Sequence, residues 1–157
     1  MRNALFIAFL LVALAYALRG GGGPERAMAG IALALVIADQ LLHLMVPPEF
    51  VGLDLGHLAI DLTGAGATIA LAMIAHRFWP MMAAVLHIFP LLAHLAKVFD
   101  VPMHPIAYLT MQVAVSWLVP PLLIFGTFRH QRRLAANGSD PSWHGSLPRW
   151  IRSAVKR

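Results

Sequence analysis

Long runs of Leu, Ala, Ile, Val and Phe dominate this chain, and short clusters of Gly, Pro and charge break them at regular intervals. A helix that crosses a bilayer needs about 20 predominantly apolar residues, with about 17–25 tolerated. Five segments approach or meet that length: residues 4–18, 27–46, 57–75, 78–99 and 105–128. The pattern predicts an all-α polytopic membrane protein. Residues 1–128 form a bundle of five transmembrane helices and residues 129–157 a basic cytoplasmic tail.

The interruptions carry further expectations. Residues 19–24, RGGGGP, read as a flexible linker with a turn. They lack the Lys-Ser/Thr and the strand-loop-helix setting of a phosphate loop. Pro47-Pro48 cannot continue helix 2, because each proline removes a backbone donor and clashes with the preceding turn. Helix 3 carries Gly64-Ala65-Gly66-Ala67-Thr68, and small residues allow close helix approach in lipid, where dispersion drives association. Pro80, Pro90, Pro120 and Pro121 fall in or at helices 4 and 5 and predict kinks there.

Composition sharpens the class. The chain is 59% hydrophobic and 12% charged, against about 25% charged in ordinary globular proteins. It has no cysteine. That excludes disulfides, thiolate zinc sites, cysteine-held iron–sulfur clusters and cysteine nucleophiles. The net charge of +5 does not point to nucleic acid, since seven of the twelve Lys and Arg lie after residue 128. Anionic lipid headgroups are the expected partner of that tail. Within the tail, Leu147, Trp150, Ile151 and Val155 recur at helical spacing among basic residues, as in an interfacial amphipathic helix.

Charge also orients the chain. Arg19 and Arg26 lie between helices 1 and 2, and Arg77 lies between helices 3 and 4, whereas Glu49, Asp54 and Asp100 occupy the alternate loops beside a single Lys97. The positive-inside rule then places the N-terminus outside and the tail in the cytoplasm of an inner membrane of bacterial type. Arg2, the first apolar run and Ala15-Tyr16-Ala17 also resemble a cleavable signal peptide. Cleavage would turn the basic tail outward, so helix 1 is kept as a span.

Candidate chemistry gathers in one layer. An ionisable side chain at the membrane centre costs about 2.5–3.5 kcal/mol on insertion scales, so its presence asks for a partner or a purpose. The stretch 38–61 holds Asp39-x-x-x-His43 and then the reverse, His57-x-x-x-Asp61. At about 1.5 Å per residue, His43, Asp61, His94, Asp39 and Gln112 lie about 5–10 Å below the outer end of their helices. A spacing of four puts each Asp and His on one helix face. The reversal of order is what consecutive antiparallel helices sharing a site would show.

Three readings compete for this cluster of Asp39, His43, His57, Asp61 and His94. It clamps helices together through polar pairs, as in a structural or assembly subunit of a larger membrane complex, each bond worth about 0.6 kcal/mol. It handles protons or a divalent cation, because histidine titrates near neutral pH and imidazole with carboxylate suits zinc, copper, iron or nickel. It holds a b-type haem through His94 or His87 facing His43 or His57, a reading with no attachment motif behind it. Proton or divalent-cation handling is the expectation adopted, with the assembly subunit as the alternative. No nucleophile-base-orienter set can be assembled with Ser116 or Thr110, so no enzyme activity is assigned. His76, His130 and His144 read as solvated cytoplasmic residues, and Met81-Met82 with Met103 as the only trace of a soft-metal path. A homo-oligomer or larger assembly is compatible with the small extramembrane mass.

Overall fold

The computed structural model describes residues 2–45, 54–99, 101 and 105–143, and the side chains of 2, 3, 105–109 and 112–115 fall outside that description. Five helices follow in order: α1 (Arg2–Gly20), α2 (Gly23–Met45), α3 (Leu55–Ile74), α4 (Trp79–Val98) and α5 (Pro105–Asn137). Among the described residues there is no strand, only an isolated antiparallel bridge between Ala75 and Trp143. Consecutive helices pack on one another, and α5 closes the bundle against α1 and α2. Three of the five, α2, α3 and α4, are long and apolar enough to cross a membrane. The apolar part of α1, Ala4–Gly20, is shorter.

The expected six-residue linker is much tighter. Only Gly21 and Gly22 stand between α1 and α2, because Gly23 and Pro24 already belong to the first turn of α2, where proline loses no helical hydrogen bond. A side chain at Gly21 is impossible: a Cβ there would lie 2.4 Å from the Ala17 carbonyl oxygen. At the other end of the bundle Asp54 opens α3 as an N-cap, its side chain accepting from the backbone N–H of His57. Pro80 sits in the first turn of α4, where it fits a helix start. Pro90 lies inside α4, and Pro120 and Pro121 inside α5, and both helices run continuously through them.

The interior mixes large side chains, among them Leu10, Leu14, Met28, Leu71, Trp79 and Leu123, with many small groups. Ala13, Ala17, Ala29, Ala32, Ala83 and Ala93 are buried, with Thr68 closing its hydroxyl onto the Gly64 and Ala65 carbonyls. Large apolar side chains such as Leu41, Leu62, Met73, Val85, Phe89 and Leu92 point outward. Water-soluble domains put large residues inside. So many large apolar side chains outside, with small residues at helix contacts, fit the way helices associate in lipid.

Candidate functional site

Polar side chains collect at the two opposite ends of the bundle. At the end formed by the last turns of α2 and the first turn of α3, one carboxylate oxygen of Asp39 and one imidazole nitrogen each of His43 and His57 lie within 4.8 Å of one another. The His57 Nε2 is 3.5 Å from Asp39 Oδ1, and the His43 Nδ1 is 3.7 Å from the same oxygen. The two rings meet edge to face at 5.0 Å. Side-chain exposures of 39% for Asp39, 44% for His43 and 25% for His57 leave the group open to an incoming ion.

Asp54 completes this end. Its Oδ1 accepts from the His57 backbone N–H at 3.0 Å, and its Oδ2 lies 2.6 Å from His57 Nδ1. Partial burial pushes the Asp54 carboxyl up, but the His57 backbone N–H and ring outweigh that and hold it below the ordinary carboxylate value. His43 turns its Nδ1 onto the Asp39 backbone oxygen at 2.8 Å. One turn further along α3, Asp61 pairs across to α4, its Oδ2 3.0 Å from the Nε2 of buried His94. His87 bonds the Ala83 carbonyl within its own helix through Nδ1.

The five residues singled out in the sequence therefore form two groups, Asp39 with His43 and His57, and Asp61 with His94. Of the two mirrored pairs, Asp39 stays beside His43, whereas His57 and Asp61 part company. His57 turns to Asp54 and Asp39, and Asp61 turns to another helix, because residues one turn apart on one face both project toward the neighbouring helix. The side chain of Gln112, the loop after Met45 and the expected amphipathic segment after Ser146 lie outside the described residues.

The opposite end was not legible in the sequence as a cluster. Glu25, in the first turn of α2, and the side chain of Arg77, between α3 and α4, are both almost wholly buried. Arg77 Nε is 3.3 Å from Glu25 Oε1, and the Trp79 indole N–H donates to the same oxygen at 3.0 Å. Arg77 Nη1 pairs with Asp140 Oδ2, which also lies 2.6 Å from His130 Nδ1, while Asp140 Oδ1 accepts from Arg133 Nε at 2.9 Å. His130 is thus a buried partner, correcting the expectation of a solvated residue.

Asp140 reaches this position because α5 continues to Asn137, past the arginines expected to mark the tail. Gly138 then turns in the left-handed region at φ 69°, open to glycine without strain. Residues 139–143 return along the bundle as a strap. Ser142 accepts from the Gly23 N–H through its hydroxyl at 3.3 Å and from the His76 N–H through its carbonyl at 3.0 Å. Trp143 covers Gly23 so closely that a Cβ there would sit 2.6 Å from the indole. Burial alone would raise the Asp140 carboxyl, but Arg133, His130 and Arg77 prevail and hold it well below the ordinary range.

No family model, curated protein or solved structure matches this chain. The reading of both ends rests on their own chemistry.

Proposed function

We propose that the chain is an integral membrane protein of a bacterial-type inner membrane that binds a divalent cation in the outer half of its bundle. In this reading all five helices span the bilayer, the N-terminus is outside, and the strap with the basic tail lies in the cytoplasm, near anionic headgroups. The observation that carries the reading is the convergence of one carboxylate oxygen and two imidazole nitrogens, from two different helices, within 4.8 Å. Carboxylate and imidazole together are a donor set for divalent ions. The outward-facing large apolar residues and the three span-length helices support the membrane setting.

Equilibrium dialysis of the detergent-purified chain against Zn²⁺, Mn²⁺ and Mg²⁺ tests the site. The wild type takes up one of these ions at one per chain, and Asp39→Ala with His57→Ala removes that uptake while the helix content stays. Equal uptake by the double variant would overturn the cation reading. A folded wild type that takes up no metal shifts the assignment to the second reading, a polar clamp in an assembly subunit, which the 3.0 Å Asp61–His94 contact between α3 and α4 favours. Orientation is checked separately. Cysteines placed at Leu55 and at Ser139 of this cysteine-free chain label with a membrane-impermeant maleimide from opposite sides of sealed vesicles, and labelling from one side only would sink the odd number of spans.

A further inference from the structure

We infer that this site takes a borderline transition-metal ion of the zinc class on Asp39 and the imidazoles of His43 and His57, the latter through its Nε2, and that Asp54 is the positioning residue that holds His57 ready. The inference rests on the reading of Asp39, His43 and His57 as a cation site and adds its substrate class and an unassigned participant.

A neutral imidazole has one N–H donor and one lone-pair acceptor, and the bond made by one nitrogen decides the role of the other. His43 Nδ1 faces a backbone carbonyl at 2.8 Å, and a carbonyl only accepts. Nδ1 therefore carries the proton and Nε2 the lone pair. His57 Nδ1 faces a carboxylate oxygen of Asp54 at 2.6 Å, while the other oxygen of Asp54 is tied to the backbone N–H at the start of α3. The carboxylate is anchored twice to one residue and accepts both times, so the neutral ring of His57 too presents its lone pair on Nε2.

That lone pair looks across 3.5 Å at a carboxylate oxygen of Asp39. With the ring neutral, two acceptors face each other at this separation, an arrangement that a cation bound between or beside them relieves. A carboxylate behind a histidine that ligates metal is the recurrent outer partner of such sites, where it fixes ring orientation and raises ligand basicity. Two nitrogens and one oxygen match zinc, which accepts His and Asp together and in exchangeable sites keeps a fourth position open. Magnesium and calcium take oxygen ligands in larger number. The donor set thus separates the candidate ions, and the tight His57–Asp54 bond orients the ring.

The test uses the full chain in detergent and the substitution Asp54→Ser. Serine still caps α3, because its hydroxyl accepts from a backbone N–H, but it withdraws the carboxylate from the ring. Competition titrations with Zn²⁺ give the wild type a preference for Zn²⁺ over Mg²⁺ and Ca²⁺. Asp54→Ser weakens Zn²⁺ binding by about 10- to 100-fold with one ion per chain retained. Without metal, ¹⁵N chemical shifts report the Nδ1–H form of His57 in the wild type and a move toward the Nε2–H form in the variant, while the melting temperature is unchanged. A variant that binds Zn²⁺ like the wild type and keeps the same ring form would overturn the role of Asp54. Preference for Mg²⁺ or Ca²⁺ would overturn the ion class. A wild type that takes up none of these ions removes the cation reading and this assignment together, an outcome separable from the failure of Asp54 alone.

Discussion

Replacing Arg77 by Met lowers the stability of the folded chain by about 3–5 kcal/mol, the usual consequence of removing one partner from a buried ion pair. The size follows from what is left behind. Glu25 is fully enclosed, and its charge is compensated by Arg77 and the Trp79 indole, with its Oε2 making no hydrogen bond among the described residues. Met fills much of the arginine stem's space but supplies no charge, so Glu25 must stay ionised without a counter-charge or take up a proton. Asp140 suffers less, since His130 and Arg133 still hold it. The double variant Glu25→Gln, Arg77→Met therefore recovers a large part of the loss. Thermal unfolding in detergent, followed by circular dichroism, checks both. A single variant that melts with the wild type, or a double variant worse than the single, would mean that the buried pair is not what secures this end.

Acid releases the strap. The Asp140 carboxyl lies well below its ordinary value of 3.8 in the folded chain, so the unfolded state binds its proton first as the pH falls. Its contribution is fully present above about pH 4–5, constant through neutrality, and lost as the pH drops below 3.8 toward the folded value. An environment-sensitive fluorophore on Ser139→Cys reports a constant signal from pH 5 to pH 8 and a transition in the acid range. Asp140→Asn shows the released signal already at neutral pH. Release centred near pH 6–7 in the wild type would assign the latch to another group. An Asp140→Asn variant with the wild-type signal would leave Ser142 and Trp143 as sufficient anchors.

The positions of the helices were largely readable in advance, because apolar runs of span length leave few alternatives and prolines and glycines mark where they stop. The end of α5 was not, since Arg129 to Arg133 resemble an exposed basic tail whether or not the helix continues beneath them. The same asymmetry holds for the sites. Asp39, His43, His57, Asp61 and His94 drew notice because each is costly in an apolar segment. Their partners stayed hidden, because spacing reports neighbours on one helix and not the residue that faces it from another. Asp54 looked like one more acidic loop residue. Arg77 and Glu25 escaped for the opposite reason, being charges where charges are ordinary, at helix ends. One signal was available: Glu25 is an acid among the arginines of its connection, next to a glycine run that leaves no side chains to cover it.

The strap also bears on how the chain is made. Glu25 leaves the ribosome first, Arg77 follows 52 residues later (77 − 25), and Asp140 a further 63 after that. At about 5–20 residues per second, the last interval is about 3–13 s. Throughout it the Gly23 amide at the start of α2 has no Ser142 to accept from it, and Arg77 has only one of its two carboxylates. The clasp shuts when the fifth helix has been translated and has carried Gly138 past the bundle. A nascent chain arrested before that point keeps Glu25 and Arg77 paired but leaves the second face of the Arg77 guanidinium open.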